Sequence, residues 1–370
     1  MLRNFMYFYS HSNNIFWLKE ESDMAIIPAQ EEILTNLKGV KNIELDTLID
    51  QAHDIKKSFS HVNIDATSAK PLFMDRDRRV ILSRKGRAAL HTDISEYAFT
   101  QVCNAIGVPA PYMKKCYELD MDDVVDYNMR RQLQRYNDDG HFAGRVGLVS
   151  DNVCEAVVSD RYSFDFQTPE ILETIKKNMP GQYQANQAYL SKSRMHIRFV
   201  DFDNPVNVGG EKLSVGFTVG TSDIGKSALQ VKFFLYKFAC MNGIVVVKNG
   251  GTLYRQAHIG EPFDKANIQR FKDSFQDITA LRDNALDQIA NSQKRMMSES
   301  EMHRILDTCR ANSVSVSESE RQNIIDLAAE RYGRTKWGLI NGITEVAQNH
   351  TLDNRLNYEV WAGKLLAQAL

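Results

Sequence analysis

The sequence predicts an α+β protein, with a helical N-terminal segment, a central mostly antiparallel sheet crossed by one helix, and an all-helical C-terminal third. Three observations predict it. Apolar residues recur at three- and four-residue steps towards both ends of the chain, the period of a helix face. Between Phe142 and Arg255, short runs rich in Val, Ile and Phe are bounded by Gly, Asn and Asp, the texture of strands. Most of these runs are joined by connections too short for a helical crossover, which makes neighbours antiparallel. The expected divisions are a possible extension over 1–23, a mainly helical region over 24–141, a β-rich core over 142–261 and a helical region over 262–370.

In chain order, Leu45, Leu48, Ile49, Ala52, Ile55 and Phe59 mark the first helix face. Val80-Ile81-Leu82 reads as a short strand within a basic stretch. Helices follow from Tyr97 to Ile106, stopped by Gly107 and Pro109, and along Met121, Val124, Val125, Met129 and Leu133. The strand runs are Val146–Val149, Cys154–Val158, His196–Val200, Leu213–Val219, Leu229–Phe238 and Ile244–Val247. They are interrupted by a helix with Thr168 as N-cap and Pro169 at its first position. Asp160-Arg161-Tyr162 and Asn242-Gly243 read as turns. Beyond Pro262, Ile268, Phe271, Phe275, Ile278, Leu281, Ala285 and Ile289 form one long stripe, expected as a hairpin or coiled-coil-like arm. Ser298 with Glu301 and Ser317 with Glu320 have capping-box spacing, and two more helices, about Lys336–Asn349 and Asn354–Ala369, close the chain.

Composition narrows the function. The 370 residues carry 45 basic and 47 acidic side chains, a net charge of −2, which excludes a uniformly basic nucleic-acid coat or an acidic tail. Any nucleic-acid site must be a local patch. The five cysteines, Cys103, Cys116, Cys154, Cys240 and Cys309, lack zinc-knuckle or redox spacing, and a reducing cytoplasm suits them. No apolar run has the length of a membrane span, and no metal or catalytic constellation is evident. His258, at a strand end, is read as a structural hydrogen-bonding residue, and Trp337 as core.

Two motifs bear on chemistry. Gly220-Thr221-Ser222-Asp223-Ile224-Gly225-Lys226-Ser227 matches the phosphate-loop pattern, in which Gly220, Gly225, Lys226 and Ser227 would hold a nucleotide with magnesium. That chemistry needs a helix straight after the loop. Instead, Leu229, Val231, Phe233 and Leu235 alternate with other residues at the period of a strand, which favours a turn between antiparallel strands. From Lys192 to Arg255, nine basic residues stand against four acidic ones, interleaved with Phe199, Phe217, Phe233, Phe234, Tyr236, Phe238 and Tyr254. Cations for phosphates with aromatics for bases is the combination of single-strand binders. The candidate nucleic-acid residues are Arg161, Lys192, Arg194, Arg198, Lys226, Lys232, Lys237 and Arg255. Lys226 and Lys232 share strand parity and Lys237 does not. A smaller basic stretch, Asp75 to Arg87, carries six basic and two acidic residues.

Four stretches resemble the phage/plasmid-like proteins grouped as domain of unknown function 932. They are Ala105-Ile106-Gly107-Val108-Pro109 with Tyr112; Val157 to Tyr162; Thr221 to Val231 continuing to Cys240-Met241-Asn242-Gly243; and Thr335 to Glu345. The resemblance implies a bacterial cytoplasm and a role in mobile-element DNA metabolism. It also implies a small-residue turn where this chain has Asp223 to Ser227, so the lysine of the phosphate-loop match is not part of the family pattern. The leading expectation is a non-enzymatic protein that binds or anneals single-stranded DNA, as a possible homo-oligomer, with no cofactor and no membrane. The alternatives are a nucleotide-binding enzyme using Gly220 to Ser227, and a factor that docks on host proteins through its C-terminal helices.

Overall fold

The computed structural model describes residues 26–27, 35–38, 43–65, 67–68, 70–74, 79–140, 142, 144–237, 242–244, 252–259 and 263–368. The 1–23 extension, Asp75 to Arg78, Phe238, Cys240 and Lys248 lie outside the described residues.

The chain runs through β1 (Ile26–Ile27), β2 (Thr35–Lys38), α1 (Leu45–Ser58), β3 (Ser60–Asn63), β4 (Leu72–Met74), β5 (Val80–Arg84) and β6 (Arg87–Ser95). Three helices follow, α2 (Glu96–Ala105), α3 (Ala110–Glu118) and α4 (Asp122–Asp138), then β7 (Arg145–Ser150) and β8 (Val153–Ser159). Among the described residues, all of these strands but β2 form one sheet, ordered β3-β7-β8-β6-β5-β4 with β1 beside β6. Its pairings are antiparallel except β1–β6 and β6–β8. Leu72, Leu82 and Ile94 of this sheet pack on Phe99, Val102, Met113, Val125, Met129 and Leu133 of the three helices. Helices α2 and α4 fall where the apolar spacing puts them, α3 is not among those expected, and the strands exceed the one expected at Val80-Ile81-Leu82. The first half of β6 is largely exposed, so its alternation begins only at Thr92. The hairpin joining β5 to β6 turns on Lys85-Gly86, with Gly86 at φ +68°, a conformation a side chain disfavours.

The second sheet holds β2 with β9 (Tyr183–Leu190), β10 (Met195–Asp201), β11 (Val206–Val208), β12 (Glu211–Thr221), β13 (Leu229–Lys237), β14 (Asn242–Ile244) and β15 (Thr252–Gln256). Its order is β14-β13-β12-β10-β9-β2, with β11 on β12 and β15 on β13, all antiparallel. The expected central sheet is thus divided, because β7 and β8 belong to the first sheet. Asn242 and Gly243, expected as a turn, pair in β14 with Lys237 and Tyr236. Helix α5 (Thr168–Asn178) precedes β9, and its cap differs from expectation: Gln167 occupies the N-cap position, its N–H donating to the Glu170 carboxylate at 3.1 Å.

The remaining helices are α6 (Lys265–Asp273), α7 (Asp277–Lys294), α8 (Glu299–Leu306), α9 (Glu318–Asp326), α10 (Lys336–Val346) and α11 (Leu352–Ala367). Both capping boxes are present, at Ser298 with Glu301 and Ser317 with Glu320. The long stripe is not an arm. It breaks at Ser274-Phe275-Gln276, and Phe271, Phe275, Ile278, Ala285 and Ile289 sink into the main core beside Phe199 and Phe217. Phe275 stays buried through the break, so hydrophobic spacing alone carries no sign of it. Ile224, from the β12–β13 connection, packs against Val146, Leu148, Ala156 and Val158 of the first sheet and joins the two halves.

Candidate nucleic-acid interface

Strand alternation sorts the second sheet into two faces. Ile197 and Phe199 of β10, Phe217 and Val219 of β12, and Val231, Phe233 and Leu235 of β13 face the main core. The opposite face carries His196 and Arg198, Thr218 and Gly220, and Gln230 and Lys232. Register fixes them in two rows across the strands. Arg198 stands opposite Thr218 and Thr218 opposite Lys232; His196 stands opposite Gly220, Gly220 opposite Gln230, and Gln230 opposite Arg255.

Helix α11 lies along this outer face. Val360 packs against the cluster of Val200, Phe234 and Tyr236, and Glu359 pairs with Arg198, both side chains buried. Arg355, one turn earlier on the helix, places its Nε 3.9 Å from the same carboxylate. The carboxamide of Gln187, oriented with its oxygen towards Arg355, accepts from that guanidinium at 2.8 and 3.2 Å. One carboxylate therefore serves two buried guanidinium groups.

Beside this network a cavity of about 380 Å³ opens, lined by Arg194, His196, Thr218, Gln230 and Lys232 from the sheet and by Leu356, Asn357 and Val360 from α11. Lys232 and Arg255 have no ion-pair partner among the described residues. Burial lowers the Lys232 pKa, Arg255 lowers it further, and Glu359 opposes both. His196 is buried and held neutral, first by desolvation and then by Arg198, Arg355, Lys232 and Arg194. Its Nε2 has no hydrogen-bond partner. The five cations Arg194, Arg198, Lys232, Arg255 and Arg355 gather here, and Glu359 pairs with two of them, Arg198 and Arg355. An arrangement of this kind attracts anions and offers donors to their oxygens.

Of the eight candidate residues, the structure gathers Arg194, Arg198, Lys232 and Arg255 here and separates the rest. Lys237 lies on the inner face, buried, bonded to Glu211 at 2.8 Å and to Asn341 Oδ1 at 3.1 Å. Lys192 pairs with Asp151. Lys226 donates to Ser193 Oγ at 3.2 Å and sits 5.5 Å from the Tyr97 ring. Arg161 is exposed in the turn after β8. The aromatics expected to stack bases do not reach the surface: Phe199, Phe217, Phe233, Phe234, Tyr236 and Tyr254 are all buried. The expectation that these aromatics stack bases is corrected by their burial.

The phosphate-loop match is also corrected. Gly220 lies within β12, strand β13 begins at Leu229, and no helix supplies the amides such a site needs. The segment instead fastens three elements together. Ser222 Oγ donates to the Ser193 carbonyl at 2.6 Å and accepts the Lys226 N–H at 2.9 Å, while Tyr162 Oη donates to the Ser222 carbonyl at 3.1 Å. Asp223 caps α5 from outside, accepting the Thr168 N–H at 3.0 and 3.2 Å. Gly225, at φ +86°, leaves room for Tyr162, whose ring lies 3.3 Å from where a Cβ would stand. The polar run Thr221-Ser222-Asp223 was the only sequence signal for this junction, and it carried no address for its partners.

Thr221 Oγ1 and His258 Nε2 are 2.9 Å apart, so His258 has the hydrogen-bonding role expected of it. Burial lowers its pKa to about 4 and raises that of Asp223 to about 6. The signs oppose. A depressed histidine contributes stability that is present above its unfolded value near 6.5 and lost as pH falls through about 4. A raised carboxylate contributes stability that is present below 3.8 and lost as pH rises through about 6. His196 acts in the same direction as His258, and Glu155, raised by burial, in the same direction as Asp223. His258→Gln keeps a partner for Thr221 without titrating. Urea unfolding between pH 6.5 and 4.5 should show its slope of stability against pH lower than wild type by about 1 kcal/mol per pH unit.

The fold and this surface define an α+β protein whose larger sheet presents a cation-rich groove roofed by its last helix. The chain belongs to the family described as domain of unknown function (DUF932), whose model matches residues 155–361. No curated protein and no solved structure is matched. Among the described residues, no group of three or more His, Cys, Asp or Glu side chains could hold a metal ion, and no helix is long and apolar enough to cross a membrane.

Proposed function

We propose that the protein binds single-stranded nucleic acid by its phosphates, along the groove between the outer sheet face and α11. The observation that carries this reading is the gathering of Arg194, Arg198, Lys232, Arg255 and Arg355 on the outer sheet face and α11, with Lys232 and Arg255 in no ion pair among the described residues, beside a cavity of about 380 Å³ that Arg194 and Lys232 line. The cations do not surround one point. They run from β10 across β13 to β15, three strand spacings or about 14 Å, which suits a chain of phosphates better than a single one. The resemblance to phage and plasmid proteins supports DNA of mobile elements as the partner.

Anisotropy of a labelled single-stranded oligodeoxynucleotide, titrated at several salt concentrations, tests the reading. Binding should weaken steeply with salt, and Lys232→Ala and Arg255→Ala should each flatten the logarithmic slope by about 0.7, one phosphate contact apiece. Absence of binding at low salt, or unchanged slopes in both variants, would remove the proposal.

A further inference from the structure

A second cavity, of about 550 Å³, lies between β4 and α4, outside the span matched by the family. Its walls differ from the groove's. Tyr127 is 71% exposed, more than any other large hydrophobic side chain among the described residues, and it stands on the cavity rim. Phe73 forms another wall, with Lys70 Nζ 4.8 Å from its ring centroid.

The polar lining is incompletely used. Asn137 is buried, and its Nδ2 donates to the Leu72 carbonyl at 2.9 Å, which fixes the amide and leaves Oδ1 as an acceptor without a partner. Arg130 is turned by a bond of 2.7 Å from Nη2 to Asp126, and its Nε is a donor without a partner. Buried polar atoms left unpaired cost free energy until something pairs them. Carboxylates of Asp126 and Asp138 also line the cavity and offset Lys70, Arg130 and Arg131, so the site is far closer to neutral than the groove and poorly suited to phosphate. An exposed aromatic ring on the rim of a cavity whose lining holds one buried acceptor and one buried donor without partners matches a flat heterocycle with hydrogen-bonding groups along its edge.

We propose that this cavity takes a nucleobase of the bound strand, stacked on Tyr127 and read along its edge by Asn137 and Arg130. The inference rests on the nucleic-acid reading of the groove for its choice of ligand, and supplies the base contact that the buried aromatics of the second sheet cannot make.

The test uses the full chain and two labelled oligodeoxynucleotides of equal length, one with bases and one abasic throughout. Wild type should bind the first more tightly. Tyr127→Ala, a change at an exposed position, should weaken it about ten-fold and leave the abasic strand unaffected. Lys232→Ala should weaken both. Equal binding of the two strands by wild type, or no effect of Tyr127→Ala on either, would overturn the base pocket while leaving the groove standing. If neither strand binds, the groove reading fails and the pocket is judged alone with 2-aminopurine riboside: quenching lost in Tyr127→Ala supports it, and no quenching in wild type overturns it.

Discussion

Glu359→Ala should cost about 3–5 kcal/mol of folding stability, seen as a large fall in the urea midpoint. The carboxylate is 1% exposed, and it faces the 3% exposed side chain of Arg198 and the 8% exposed side chain of Arg355. Removing it leaves two guanidinium groups out of water with no counter-charge. Gln187 offers only one neutral oxygen in its place. The cost belongs to the broken network rather than to ion pairing as such. Replacing Glu359, Arg198 and Arg355 together by apolar residues of similar volume should therefore recover most of the loss. A triple variant as unstable as the single one would show that the charges do more than compensate each other.

Lys237→Ala is expected to destabilise by about 3 kcal/mol and to leave the salt dependence of DNA binding unchanged. Its ammonium sits between Glu211 and Asn341, 4.6 Å from the ring of Tyr332, and the indole of Trp337 donates to the other oxygen of Glu211 at 2.9 Å. Truncation leaves Glu211 with the indole and no cation, and frees the Asn341 oxygen. Lys237 belongs to the same charge-rich stretch as Lys232, and only strand parity separates their roles. A Lys237→Ala variant that flattened the salt slope as Lys232→Ala does would contradict the assignment of faces.

That parity was legible in the sequence. Lys232 and Lys237 are an odd number of residues apart, so an alternating strand cannot present both on one side, while Lys226 lies before β13 and outside its alternation. The strand after Ser227 and both capping boxes were legible for the same reason: each depends on residues within a few positions. The partners were not. Arg198 and Glu359 are separated by 161 residues and Lys237 and Asn341 by 104, and nothing local marks one for the other. The aromatics misled because period two says which side chains share a face and not which face is covered. Phe234 and Tyr236 stand on the outer side with Lys232, but α11 packs over them. The Thr335 to Glu345 stretch reads as a family signature, and in the structure it is chiefly packing. Gly338 lies so close to the preceding turn that a Cβ would meet the Gly333 carbonyl at 1.9 Å.

The span matched by the family opens at residue 155, inside β8. Both partners of β8, the antiparallel β7 and the parallel β6, come earlier in the chain. The matched span therefore begins on a strand whose two neighbours it does not contain. Cut free at its own boundary, it would carry most of β8, from Glu155 to Ser159, with no neighbours, its ladder groups open to another copy. The residues before 155 act as a built-in escort for that edge.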